Sequence, residues 1–196
     1  FHSFPTRRSS DLLLRSGESG IVVEVLNGYR RREPLPSNLA DLVIPPGICE
    51  VLRPGKDLTI VTYGATVRVV MEAADRLAEI GAEAEVIDVQ SLLPFDLRGT
   101  VRTSLEQTSR ILFVDQDVPG AAGAYMMRQV LDAQGGYELL DSPPRALSGA
   151  EHRPAYGSDG DYWSKPNAES VFDGAYGLLR EAMPAKFPAL YRREEP

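Results

Sequence analysis

The chain has 196 residues, enough for one substantial domain and a connecting arm but not two full domains, and its 43% hydrophobic content is sufficient for a core. A formal charge of -7 and a pI near 4.9 argue against nucleic acid or an anionic membrane surface as partner, because phosphate binding needs a basic footprint and Arg7, Arg8 and Arg30 to Arg32 are too sparse to supply one. No apolar run reaches the ~20 residues of a membrane-spanning helix, and the lone Cys49, which reads as a small buried hydrophobe in a reducing compartment, excludes an internal disulfide or a cysteine zinc cluster.

Residues 1–11 show neither helical nor strand periodicity and read as a non-native or disordered leader. Residues 21–26 (IVVEVL) form a short β-rich run, and a polar, proline-containing stretch follows it, so 31–56 is expected to be a linker. From Leu58 the pattern becomes regular. Strands are expected over 58–63, 85–89, 111–115 and 137–140, alternating with helices over 66–80, 96–108 and 121–134. Val67, Val70, Met71, Ala74 and Leu77 recur at helical spacing as a core stripe, and Gly81 is placed to stop that helix. A long loop over 141–166 leads to a last helix near 167–182, with Val171, Ala175, Leu178 and Leu179 facing inward.

Strands alternating with helices at this spacing predict an α/β fold, three-layer α/β/α, with helices on both faces of a mostly parallel sheet over residues 57–190. The carboxyl ends of parallel strands gather on one edge, so a strand-end cleft is expected around Tyr63, Gly64, Gln90, Asp115 to Asp117 and Asp141. Gly120-Ala-Ala-Gly123 opens a helix there. It reads as close helix packing rather than an anion site, because Asp115 and Asp117 would repel phosphate.

His152 and Arg153 are the strongest polar candidates, in a loop that also carries Tyr156, Tyr162 and Trp163. Proton transfer or carboxylate holding is one reading, and a rim histidine packed on tyrosine at a subunit interface is the other. Asp159-Gly-Asp161 looks superficially like calcium ligands, but the twelfth position from Asp159 is Ser170 rather than Glu, which excludes an EF-hand loop. No metal site is expected. No G-x-S-x-G or H-E-x-x-H motif occurs, and no catalytic residue is assigned within this chain.

The run Asp88-Val-Gln-Ser-Leu-Leu-Pro-Phe-Asp96 resembles the D-L-R-[ST]-L-x-P-x-D stretch in the C-terminal domain of the transketolase superfamily, particularly the beta subunits of thiamine-dependent 2-oxo acid dehydrogenases. Asp88, Ser91, Leu92, Pro94 and Asp96 match, and Gln90 stands where Arg is usual. Leu58-Thr-Ile-Val-Thr-Tyr-Gly64 resembles the first strand and glycine turn of that domain. The segment from His152 to Pro166 resembles the late loop of bacterial chains in which the alpha and beta parts are fused. Glu24 and Tyr29 resemble the E-x4-Y segment that ends the preceding pyrimidine-binding domain, which makes residues 12–30 its remnant. Asp115 to Tyr125 is a shortened form of the family's E-x-G-x-x-x-x-G-x-G-x-E loop and lacks the final Glu.

The resemblance implies a five-stranded sheet with one antiparallel member. It also implies a scaffold and interface domain of an oxidoreductase that decarboxylates a 2-oxo acid and passes the acyl group to lipoyl-lysine. Thiamine diphosphate and magnesium would be bound by the parent enzyme and not by this chain alone. The implied partners are the alpha and beta parts of the same enzyme, in a homo- or hetero-oligomer, and a lipoyl acyltransferase core. His152, Arg153 and Tyr156 would lie at the substrate entrance or interface, and the implied location is the bacterial cytoplasm, with the mitochondrial matrix as the alternative. Two other readings stay open: the C-terminal domain of a transketolase or deoxyxylulose-phosphate synthase, and a free-standing, non-catalytic interaction module.

Overall fold

The computed structural model describes residues 13–25, 28, 44–153, 156–157 and 159–190. Tyr29, the leader over 1–11 and the first half of the expected linker lie outside them. Among the described residues the strands β1 (Glu50–Arg53), β2 (Leu58–Thr62), β3 (Ala84–Asp88), β4 (Ile111–Val114) and β5 (Arg145–Leu147) form one sheet in the order β1-β3-β2-β4-β5. Only β1 runs antiparallel to its neighbour; β3, β2, β4 and β5 are mutually parallel.

The inner strands are apolar on both sides because both sides are covered. Leu58, Ile60, Leu112 and Val114 face helices α1 (Thr66–Glu79) and α5 (Ala168–Ala182), packing on Val70, Leu77, Val171 and Leu178. Their neighbours Val61, Ile111 and Phe113 face the other way, toward Val101 and Leu105 of α2 (Thr100–Thr108) and Met126 of α3 (Ala122–Arg128). This is the expected three-layer α/β/α arrangement, with the one antiparallel strand that the resemblance implied.

Local chemistry sets the helix ends. Gly81 turns the chain at φ +78 after α1, where its amide reaches Ala78 and that of Ala82 reaches Leu77. Asn167 and Ser170 form a reciprocal capping box at the start of α5. The helix expected from 96 starts four residues later, and Asp96 caps it from a distance. The chain turns at Gly99, α2 starts at Thr100, and the Asp96 carboxylate accepts the Thr100 and Val101 amides at 2.8 and 2.9 Å.

Four expectations are corrected. Residues 50–53, expected in the linker, form β1. Residues 21–25 join no strand, and Ile21 and Val23 are exposed. The strand expected over 137–140 is a short 3-10 helix, Gly136–Leu139. A π-helical turn after α3, Gln129–Ala133, leads into a tight reversal at Gly135 and Gly136, and a side chain on Gly136 would meet the Val130 carbonyl at 2.8 Å. The fifth strand lies instead inside the expected loop 141–166, as β5, and that loop also holds the short helix α4 (Gly160–Ser164).

Candidate functional site

Tyr63 and Asp115 follow β2 and β4, which are adjacent in the sheet, so the fold brings them together. The Tyr63 hydroxyl donates to Asp115 Oδ1 at 2.9 Å. Asp115 is buried, and its other donors are the Asp117 amide at 2.9 Å and the Gly123 amide at 2.7 Å. Burial first, then the charge and hydrogen bond of Asp115, hold the Tyr63 phenol well above the ordinary tyrosine range. Gly64 turns the chain from β2 into α1 at φ +60, a conformation that favours glycine.

Gly120 to Gly123, expected as close helix packing, lies against Asp115. The Asp115 carboxylate occupies the start of α3, and a side chain on Gly123 would press on it at 3.3 Å.

Gln90 does not join Tyr63 and Asp115. It sits after β3 at φ +59, and its Nε2 donates to Glu50 Oε2 at 2.8 Å, which turns it toward β1 on the far side of β2. Asp141 is not at this edge either. It precedes β5, pairs with the Arg110 guanidinium and takes its backbone acceptor from Ser109, so it lies where β4 begins. That correction follows directly from the misplaced fifth strand.

The loop after β5 rises from the same edge as Asp115. Gly149 donates to the Asp117 carbonyl at 2.7 Å, and Ala150 to the Ser164 carbonyl at 2.9 Å. Beyond this root, His152 Nδ1 lies 3.1 Å from the Arg153 carbonyl, and the Arg153 guanidinium stands 4.8 Å from the Tyr156 ring centre. All three are exposed, Tyr156 at 87%. The fold therefore groups His152, Arg153 and Tyr156 as one exposed cluster. Their cation–π contact is a surface one, worth ~0.5–1 kcal/mol.

Sequence reasoning missed two features. Gly149 matters because a Cβ there would meet the Gln116 carbonyl at 2.5 Å, and an isolated glycine at a strand end was the available signal. A groove of about 390 Å³ lies beside the strand ends, lined by Thr66, Arg76, Gln116, Tyr162, Lys165 and Glu169. Its charges are paired within the protein: Arg76 with Glu72, Lys165 with Asp161, and the Tyr162 hydroxyl with Glu169. It depends on the unforeseen helix α4 and was not legible in the sequence.

The model of the family described as "Transketolase, C-terminal domain" matches residues 47–170, and the chain belongs to that family. The chain is 28% identical over 159 residues to the pyruvate dehydrogenase E1 component subunit beta-2, mitochondrial, of Oryza sativa subsp. japonica, covering 80% of this chain and 42% of the relative. It is 38% identical over 111 residues to the beta subunit of acetoin:2,6-dichlorophenolindophenol oxidoreductase of Bacillus subtilis, covering 57% and 32%. Among solved structures it is similar to a split gene transketolase described as an inactive beta4 tetramer, with a TM-score of 0.59, 25% identity, and coverage of 72% of this chain and 44% of that one. The chain thus spans less than half the length of each of these relatives.

Proposed function

We propose that this chain is the C-terminal domain of the beta part of a 2-oxo acid dehydrogenase decarboxylating component. Its work there is structural. It buries subunit surface and presents His152, Arg153 and Tyr156 at the entrance to a site completed by other domains. The observation that carries this reading is the family match over residues 47–170 combined with the exposed cluster rooted at the carboxyl edge of the sheet.

Thiamine diphosphate and magnesium belong to other domains in this reading. The residues described here do not fit that group. The start of α3 is filled by the Asp115 carboxylate, and the cations lining the groove already have carboxylate partners. Acyl transfer to lipoyl-lysine, docking on an acyltransferase core, assembly with alpha and beta parts, and a location in the bacterial cytoplasm complete the reading.

A second substrate class is favoured by the 38% identity to the acetoin oxidoreductase beta subunit: a hydroxyketone in place of the 2-oxo acid. Both readings are tested by assaying the intact gene product with thiamine diphosphate, magnesium and an artificial electron acceptor. Thiamine-dependent oxidation of a 2-oxo acid is the expected result. Oxidation of acetoin alone would move the assignment to the second class, and ketol transfer between sugar phosphates would overturn both. The isolated chain is expected to show no saturable micromolar binding of thiamine diphosphate by calorimetry.

A further inference from the structure

The carboxylate of Asp115 is taken up entirely within the protein. Oδ1 accepts from the Tyr63 hydroxyl and the Asp117 amide, Oδ2 accepts from the Gly123 amide, and the residue is only 1% exposed. Asp117 then passes the constraint outward. Its carbonyl accepts the Gly149 amide at 2.7 Å, at a point where glycine alone clears the Gln116 carbonyl. Ala150 follows, its amide on the Ser164 carbonyl and its own carbonyl accepting the His152 amide at 2.8 Å. The exposed side chains of the loop add little to this, because surface cation–π and ring contacts are weak.

We infer that Asp115 is the positioning residue of the loop that carries His152 and Arg153: a buried carboxylate at the end of β4 fixes Asp117, Asp117 seats Gly149, and Gly149 sets where the loop departs. The functional meaning of this coupling rests on the entrance reading above. The coupling itself is a property of the chain and can be measured without any activity.

Asp115→Ala removes both acceptor oxygens, where Asp115→Asn would keep one of them. The Asp117 and Gly123 N–H groups then both lose their buried partner. Hydrogen exchange on the 196-residue chain reads the result. In Asp115→Ala, exchange at the Asp117, Gly149 and Ala150 amides is expected to rise at least about tenfold beyond any change in the β2 and β3 amides.

Tyr63→Phe should leave the loop protected, since Oδ1 keeps the Asp117 amide. Gly149→Ala should expose the Ala150 amide while the Gly123 amide stays protected, and it carries the test if Asp115→Ala does not fold. A rise spread evenly over all amides, or no change at Gly149 and Ala150, would overturn the inference. A localised rise accompanied by normal turnover of His152→Ala in the intact enzyme would instead uphold the coupling and remove the entrance reading, so the two fail separately.

Discussion

The Lys186 ammonium lies 2.6 Å from the Asp57 carboxylate, tying the segment after α5 to the residue before β2 across 129 positions of sequence. Asp57 is buried at 5% exposure, and its other oxygen accepts the Glu83 amide at 2.8 Å, so it also closes the turn into β3. Lys186 is half exposed, and its ammonium stands 4.8 Å from the Phe187 ring centre.

The two sides of this pair should therefore behave unequally. Asp57→Ala is expected to cost about 2–3 kcal/mol, because it orphans a backbone amide as well as the lysine. Lys186→Ala should cost only about 1 kcal/mol, since its charge is partly screened by water. Urea unfolding of both variants checks this, and equal losses would mean that the ion pair, rather than the Glu83 turn, dominates.

A buried hydroxyl cluster gives a second case. The Thr59 hydroxyl on β2 contacts those of Ser104 and Thr108 on α2, the latter at 2.7 Å, inside an otherwise apolar layer. Thr59→Val should lose about 1–2 kcal/mol, because two hydroxyls lose a buried partner. Adding Ser104→Ala and Thr108→Val should cost less than the three single losses summed, since the unpaired groups are then gone. A summed effect in the triple variant would show that the contacts act independently.

Tyr63 makes stability depend on alkaline pH. Its phenol is held protonated in the fold, raised above the unfolded value of ~10. A raised folded pKa contributes stability that is fully present below ~10 and is lost as pH rises toward the folded pKa. Tyr63→Phe should be less stable than the parent at pH 8, and that difference should shrink or reverse by pH 11. Unfolding midpoints at the two pH values provide the check, and a constant difference would mean that the phenol is not held protonated.

The interior of the fold was legible because its signals were long and two-sided. β2 and β4 are buried throughout and β3 everywhere but Glu85, and the stripe from Val67 to Leu77 repeats at helical spacing. The edges were not. β1 packs little beyond Leu52 on the core while Val51 stays exposed, and β5 has two half-buried residues flanking the exposed Ala146. Neither gives enough apolar burial to mark a strand. The error at β5 displaced Asp141 to the wrong edge of the sheet. By contrast, Tyr63 and Asp115 were correctly placed because they follow strands with strong patterns. Gly149 acts through the space its missing side chain leaves, and pattern alone does not weigh that.

His152→Ala and Arg153→Ala, made in the intact parent enzyme and compared for unfolding free energy and for turnover with a lipoyl acceptor, test most directly whether this domain works at the entrance. Both side chains are exposed; His152 Nδ1 meets the Arg153 carbonyl and the Arg153 guanidinium meets the Tyr156 ring. Stability should therefore stay within ~0.5 kcal/mol of the parent, while turnover falls several-fold. Turnover that falls only in proportion to lost folded protein, or that does not fall at all, would contradict the account.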